Sequence, residues 1–330
     1  MEKRQINYTN FDQYCPVWAI KEIIKYSEYS SEWKYNIDEV QKHIKSIRCR
    51  AGNYKIYNIK LPIEDSIELR ELVIHLICDG STLNEKHRTS KYASTSPEAV
   101  NEFKQKLSIF GNIPNLIIRE ETYTNHYLKC YVLNFSKAIT KILSKRFNVD
   151  FRGTKARIPQ EFFQGERKHL VAIVRTFLID EGCIRDRTIN FCSGSKELIE
   201  DLRQICFLLD YKCQTIRKSE GTYYLNISPD SFTKFYEDLT LLGKLPISEK
   251  QERLELGIKI INNFPDFYRL DEQILSALKE SMTTFEISKI LLVNGKTINE
   301  RSNKLQKQHI VQRNANRNLG KGGSFSWKIL

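Results

Sequence analysis

Residues 72–80 read Leu-Val-Ile-His-Leu-Ile-Cys-Asp-Gly, and residues 174–182 read Val-Arg-Thr-Phe-Leu-Ile-Asp-Glu-Gly. Each stretch closes a longer, mostly apolar segment and ends in an acid followed by a glycine. A helix that is apolar on every side must be buried. The two segments therefore predict a pair of core helices that bury each other and bring Asp79 and Glu181 to the same end of the pair.

The two segments belong to an internal repeat of helices and strands. Downstream of the motifs, Ser96–Phe110 aligns with Ser195–Leu209, and Leu133–Ser136 matches Leu225–Ser228. Each unit is predicted as helix, two strands, helix, two strands, helix, because alternating residues bounded by turn residues mark the strands. The predicted strands are 81–84, 90–95, 116–119 and 127–133 in the first unit, and 183–185, 188–192, 213–217 and 222–227 in the second.

The two motifs, with the element order that follows them, resemble the LAGLIDADG homing endonucleases over about residues 60–245. The resemblance implies an α+β fold of two pseudo-symmetric αββαββα repeats, whose antiparallel sheets form a saddle over double-stranded DNA. It also implies a monomer with internal pseudo-two-fold symmetry. The implied activity is metal-dependent, sequence-specific cleavage of both DNA strands.

The acids at the motif ends are the expected metal site. A carboxylate at the negative end of a helix is disfavoured by the helix dipole, and two neighbouring carboxylates repel each other. A divalent cation with oxygen ligands, such as Mg²⁺ or Mn²⁺, removes both penalties. By the resemblance, the metal ligands are the carboxylates of Asp79 and Glu181 with the backbone carbonyls of Cys78 and Asp180. The alternative is that both acids merely terminate core helices.

Further site residues are expected on the sheets. By the resemblance, a basic residue lies near the attacking water, and Lys129 is the catalytic candidate in the first repeat. Lys129 and Tyr131 are predicted to face the duplex, with Leu128, Cys130 and Val132 packing on the helices. The other expected DNA-binding residues of the sheets are Lys91, Arg185, Thr188 and Asn190.

Residues 268–330 form a basic segment with 11 Lys and Arg against 5 Asp and Glu. Helices are predicted at 270–278, 284–291 and 296–308, followed by strands at 309–311 and 324–329. This order resembles the winged helix-turn-helix, which implies that the third helix enters the major groove. A protein-interaction module is the alternative. The expected DNA-binding residues are Lys296, Thr297, Asn299, Arg301 and Lys304 on the helix, and Arg313, Arg317 and Lys321 on the wing.

Length and composition set the wider frame. The chain has 330 residues, a formal net charge of +12 and 41% apolar residues, which is enough for globular cores and favours a phosphate-rich partner. The sequence shows neither a membrane span nor a signal peptide, so a cytoplasmic location is expected. The expected segments are an N-terminal module (1–67), repeat 1 (68–150), a linker (151–166), repeat 2 (167–246), a linker helix (247–267) and the winged helix (268–330).

Three functions are compatible with this organisation. A metal-dependent DNA endonuclease is the leading interpretation, because both acids are retained. A transcriptional regulator that binds DNA without cutting it is the alternative, favoured by Ile74 and Thr176, where the family has small residues, and by Gly221, which aligns with Lys129. An RNA-directed maturase is a weaker third interpretation.

Overall fold

The computed structural model describes residues 44, 46–47, 54–60, 63–81, 89–123, 128–151, 155–263, 268–315 and 325–330. Two short strands, β1 (Ser46–Ile47) and β2 (Ile56–Tyr57), pair antiparallel ahead of the first unit. The sequence patterns of residues 17–26 and 38–47 are typical of helices. The second prediction is wrong at its end, because Ile47 pairs with Ile56 in a strand. The first lies outside the described residues.

The first unit is a four-stranded antiparallel sheet with helices on one side. Its strand order is β3-β4-β6-β5. Its elements are α1 (Ile67–Cys78), β3 (Gly80–Ser81), β4 (Thr89–Ser94), α2 (Pro97–Lys106), β5 (Ile118–Tyr123), β6 (Leu128–Ser136) and α3 (Lys137–Phe147).

The second unit repeats this arrangement with strand order β7-β8-β10-β9. Both sheets are antiparallel and both carry helices, so the chain has an α+β fold. The elements are α4 (Arg167–Asp180), β7 (Gly182–Arg185), β8 (Thr188–Ser193), α5 (Lys196–Leu208), β9 (Arg217–Ser219), β10 (Thr222–Ile227), α6 (Phe232–Thr240) and α7 (Ser248–Ile261).

The motif helices α1 and α4 pack against each other in the centre of one core. Their apolar side chains are buried on all sides, as an all-apolar helix requires. Serine side chains cap the start of four of the helices, with Ser66 before α1, Ser96 before α2, Ser136 before α3 and Ser195 before α5. Each serine side chain accepts a backbone N–H that the first helical turn leaves unpaired.

A buried ion network joins the two units beside the motif helices. Arg175 in α4 donates to Glu71 in α1 at 3.0 Å and to Glu102 in α2 at 2.6 Å. Lys106 pairs with both of these acids. A buried arginine is tolerated because it is matched by carboxylates and hydrogen bonds. This network explains how a charged residue fits inside an otherwise apolar motif.

The C-terminal segment forms its own small core around Trp327, Ile298 and Leu305. Its three strands have the order β11-β13-β12. A capping box at Thr283 and Glu286 starts the middle helix, and Asn294 caps the last one. The elements are α8 (Leu270–Ala277), β11 (Met282–Thr283), α9 (Thr284–Leu291), α10 (Gly295–Lys307), β12 (Val311–Ala315) and β13 (Phe325–Ile329).

The C-terminal segment is docked on the second unit. The Gly295 N–H, at the start of α10, donates to Asp186 Oδ1 in the β7–β8 turn at 2.6 Å. The Arg253 guanidinium of α7 stacks on Phe285 at 4.3 Å, and Asn263 donates to the Leu292 carbonyl. These contacts fix the direction of α10 relative to the second sheet.

Several strands begin or end at other residues than predicted. The strand predicted at 309–311, for example, is β12, Val311–Ala315. β5 begins at Ile118, which pairs with Leu133, rather than at residue 116. β9 begins at Arg217 rather than 213, because Glu220 and Gly221 take positive φ values (48° and 81°) and form the two-residue turn that sets the hairpin register. Among the described residues, no helix is long and apolar enough to cross a membrane.

Candidate functional site

The C-terminal ends of α1 and α4 carry Asp79 and Glu181 in corresponding positions. The N–H of each acid donates to the carbonyl four residues earlier, so each acid is the cap residue of its helix. The glycine that follows lets the chain turn back sharply. A Cβ on Gly182 would lie 2.6 Å from Leu178 Cα, closer than real side chains approach. Glycine is therefore needed where α4 passes into β7.

The two acids influence each other electrostatically. The pKa of Asp79 is raised to about 9, mainly because the group is buried and also because of the charges of Asp180 and Glu181. The pKa of Glu181 is raised to about 7, mainly because the group is buried and also because of the charge of Asp180. As the pH rises, Glu181 loses its proton before Asp79. The charge of Glu181 therefore raises the pKa of Asp79, whereas Asp79 is still neutral when Glu181 ionises and does not raise its pKa. Three carboxyl groups thus share one end of the helix pair.

The third carboxyl group, Asp180, has buried partners. Oδ1 accepts a hydrogen bond from the Tyr92 hydroxyl at 2.7 Å, and Oδ2 lies 2.8 Å from His75 Nδ1. The side chains of His75 and Asp180 are both fully buried. The sequence analysis expected only the backbone carbonyl of Asp180 in the site. Its side chain instead joins α4 to α1 and β4.

Lys250, in the first turn of α7, is the cation of this site. Its ammonium donates to the carbonyls of Leu178 and Ile179, both at 2.7 Å. Burial lowers the pKa of Lys250, while the charges of Asp180, Cys183, Asp79 and Glu181 oppose that shift. Lys250 is not among the site residues predicted from the sequence. Its neighbours Ser248-Glu249-Lys250-Gln251-Glu252-Arg253 are typical of a solvated helix face, and nothing in that pattern indicates a buried ammonium.

A cleft of about 880 Å³ opens beside these groups. Carboxyl, ammonium and guanidinium groups line it together, so it can receive a polar or charged ligand. Its lining includes Asp79, Asp180, Lys250, Cys130, Arg185 and Arg253.

The described side chains do not form a metal site by themselves. The structure brings the four expected ligand residues, Cys78, Asp79, Asp180 and Glu181, to one end of the helix pair. In the described part of the chain, however, no three His, Cys, Asp or Glu side chains converge in a way that could hold a metal ion. Mg²⁺ requires near-ideal octahedral geometry from oxygen ligands. The Lys250 ammonium lies beside these residues, on the carbonyls of Leu178 and Ile179.

The predicted orientation of β6 is wrong. Leu133 and Phe135 are fully buried against the helices, and Tyr131 and Lys129 share their face because side chains alternate along a strand. Lys129 pairs instead with Glu120 at 2.9 Å. Cys130 lines the cleft with Asp79 on the opposite side of the sheet. The expected catalytic role of Lys129 therefore has no support in the geometry, since Lys250 is the cation that acts on the acids.

The side of each sheet that faces away from the helices is called the open face. Lys91 lies there, because it neighbours the buried Tyr92 and pairs in register with Asn134. Arg185, Thr188 and Asn190 lie on the open face of the second sheet, alternating with the buried Ile184 and Ile189.

The open faces also carry Arg119 and Arg217, which are not among the DNA-binding residues predicted from the sequence. Arg119 pairs in register with Val132, and Arg217 pairs with Tyr224. Arg119 was assigned to the end of a predicted strand, where its face could not be determined. Arg217 was also placed at a predicted strand end.

Helix α10 presents a polar, basic surface. The Lys296 side chain is 81% exposed, and Lys304 is 57% exposed. Arg301 and Lys304 lie 3.6 and 3.7 Å from the Asp271 carboxylate, and Asn299 accepts a hydrogen bond from Thr284. Thr297 is at the first turn of the helix.

The wing residues are described in part. The Arg313 guanidinium stacks on Phe325 at 3.4 Å, across the β12–β13 pair. Arg317 and Lys321, the other two predicted wing contacts, lie outside the described residues.

Comparison with known proteins identifies similar solved structures at low identity. The homing endonuclease I-WcaI bound to its DNA recognition sequence matches with 15% identity and a TM-score of 0.44, over 57% of this chain and 85% of that one. The homing endonuclease I-DmoI in complex with DNA and Mn matches with 16% identity and a TM-score of 0.37, over 52% and 94%. Full-length WhiA from Thermatoga maritima matches with 12% identity and a TM-score of 0.41, over 74% and 92%. No protein-family model and no curated protein sequence matches the chain.

Proposed function

We propose that this protein binds double-stranded DNA sequence-specifically, as a monomer with two pseudo-symmetric LAGLIDADG-type repeats and a C-terminal winged helix. The formal net charge of +12 favours a phosphate-rich partner. An antiparallel sheet with alternating polar side chains can read base edges in the major groove, where each base pair presents a distinct pattern of donors and acceptors.

The observation that carries the proposal is the exposed basic surface of α10. Three helices followed by a hairpin, with the last helix the most polar, is the arrangement of a winged helix-turn-helix. In that motif, the N-terminal part of the recognition helix contacts base edges. Here Lys296, Thr297 and Asn299 occupy that part of α10.

The open faces support a longer interface than α10 alone would form. Lys91 and Arg119 lie on the first sheet, and Arg185 and Arg217 lie on the second. Arginine and lysine can bond phosphates or pair with guanine, and Asn190 can pair with adenine. Contacts from both sheets and from α10 would give a strong dependence of affinity on salt.

Metal-dependent cleavage of the bound DNA is the second candidate function. It is favoured by the corresponding positions of Asp79 and Glu181 at the ends of α1 and α4, and by the place of Asp79 in the cleft lining. Mg²⁺ or Mn²⁺ would be the cofactor, and phosphodiester hydrolysis is the chemistry that it would supply. Lys250, whose ammonium donates to two carbonyls of α4 next to these acids, favours DNA binding without cleavage.

Selection from a random duplex library tests the binding proposal. The full chain is expected to enrich one family of related duplexes, whose affinity falls steeply as salt rises. Equal retention of all duplexes, or preferential retention of single-stranded RNA, would contradict the proposal.

The enriched duplex is then incubated with Mg²⁺ and with Mn²⁺, using the wild type, Asp79→Asn and Glu181→Gln. Nicking by the wild type that both variants lose would establish the second candidate.

A further inference from the structure

Lys250 lies where the last turn of α4 leaves its carbonyl oxygens without helical partners. The ammonium donates to two of these carbonyls, those of Leu178 and Ile179, each at 2.7 Å. It also lies close enough to Asp79, Asp180 and Glu181 to feel the charge of all three carboxyl groups. A single side chain therefore contacts the helix end and balances the carboxyl groups around it.

The position of Lys250 is held from both sides of α7. Gln251, the next residue, accepts a hydrogen bond from the Leu245 N–H at 2.9 Å. Arg253, one turn further along, stacks on Phe285 of the C-terminal segment at 4.3 Å. The start of α7 is thus tied to the second unit and to the C-terminal segment, which directs the ammonium at α4.

Negative charge collects at the C-terminal ends of α1 and α4, where a cation is stabilising. Two helix C-termini bring partial negative charge, and the carboxyl groups of Asp79 and Glu181 are added to it. A divalent cation would neutralise these groups, but an ammonium does so as well. Lys250 lines the cleft, and its ammonium is held there by the carbonyl oxygens of Leu178 and Ile179 in α4.

We infer that Lys250 is the resident cation of the acid pair, an internal counter-ion that keeps Asp79 and Glu181 from binding a divalent cation. The like charge of the ammonium repels a metal ion from the oxygens that would ligate it. The consequence for DNA, which rests on the proposed function, is that a bound duplex is left uncut.

Binding of Mn²⁺ to the full-length protein without DNA tests the inference, with the free Mn²⁺ signal measured by electron paramagnetic resonance. Lys250→Gln keeps a hydrogen-bond donor and removes the charge, so it is expected to bind one Mn²⁺ at least about tenfold more tightly than the wild type. The matched control is Lys259→Gln, an exposed lysine of the same helix, which is expected to behave as the wild type. Adding Asp79→Asn to Lys250→Gln is expected to abolish the gain.

Two results would overturn the inference. One is a folded Lys250→Gln protein, judged by circular dichroism, that binds Mn²⁺ no better than the wild type. The other is a wild type that binds one Mn²⁺ tightly and loses it on Asp79→Asn substitution. The second result overturns the inference even when Lys250→Gln does not fold. Because neither titration contains DNA, its failure leaves the binding proposal standing, and failure of the duplex selection leaves this inference standing.

Discussion

The Asp180 carboxylate and the His75 ring link the two motif helices, with Oδ2 of Asp180 lying 2.8 Å from Nδ1 of His75. The Tyr92 hydroxyl completes the link by donating to Oδ1 at 2.7 Å. All three residues come from different elements, α4, α1 and β4. A buried carboxylate is costly unless it is hydrogen-bonded. The link therefore holds the acid-bearing ends of α1 and α4 in a fixed relation.

Tyr92→Phe is expected to destabilise the protein. The substitution removes the hydroxyl donor to a buried carboxylate, and hydrogen bonds to charged groups contribute about 1.5–3 kcal/mol. Urea denaturation should show a loss of that size in the free energy of unfolding. The control is Tyr224→Phe at an exposed position, where the change is expected to stay within about 0.5 kcal/mol. Equal stabilities of the two variants would show that the link contributes nothing.

Stability is expected to fall as pH rises from mildly acidic to mildly alkaline. The pKa of Asp79 is raised from 3.8 to about 9, and that of Glu181 from 4.5 to about 7. In this window the folded protein holds protons that the unfolded chain has released, so raising the pH favours unfolding. The contribution is fully present below the unfolded pKa values and is lost as pH passes the folded values.

Asp79→Asn isolates the larger part of this effect. The amide does not titrate, so the slope of unfolding free energy against pH should become shallower by up to about 1.4 kcal/mol per pH unit below pH about 9. Urea titrations at several pH values measure the slope. The control is Asp230→Asn, an exposed residue paired with Lys212, which should leave the slope unchanged. An unchanged slope in Asp79→Asn would mean that Asp79 ionises normally.

The sequence predicts the two repeats because local patterns are enough for them. The motif helices are long and apolar, and Ser96 and Ser195 provide the N-caps of corresponding helices in the two units. The face of β6 was assigned the wrong way round. Lys129, Tyr131, Leu133 and Phe135 alternate onto the same face of β6. The charge of Lys129 indicates an exposed face, whereas Leu133 and Phe135 are fully buried against the helices.

The contents of the site were harder to predict than the fold. Lys250 is about 70 residues from the carbonyls that it caps, so only the tertiary structure brings them together. The role of the Asp180 side chain could not be predicted for the same reason, because its partners His75 and Tyr92 lie in the other repeat. Local periodicity describes which face of an element is buried, but it does not identify the partner of a buried polar group.

The contact between Asp186 and Gly295 is expected to stabilise the start of α10. Asp186→Asn keeps an oxygen acceptor and the positive φ of 53°, which asparagine tolerates, but it removes the charge. Loss of the charged character should weaken this bond by about 1 kcal/mol, so amide exchange at the start of α10 should accelerate about fivefold. Hydrogen exchange measured by mass spectrometry reports this change.

A closely matched control exists for that prediction. Asp210 also has a positive φ, of 56°, and pairs with an exposed lysine, Lys234, away from α10. Asp210→Asn should leave exchange in α10 unchanged. Equal acceleration in both variants would indicate a general loss of stability rather than release of the docked C-terminal segment.

Lys296→Ala is expected to weaken binding of the enriched duplex. Lys296 is in the first turn of α10 and its side chain is 81% exposed, so it is free to contact DNA. If Lys296 contacts a phosphate, the variant should lose affinity equally for all sequences, and the slope of log affinity against log salt concentration should fall by about 1. If it contacts a base, the loss should be about 1–3 kcal/mol and depend on one position of the site. Fluorescence anisotropy over a range of salt concentrations separates the two cases.

Lys212→Ala, with a 73% exposed side chain in the second unit, is the control and should bind as the wild type. Unchanged affinity and salt slope in Lys296→Ala would place the DNA interface away from α10.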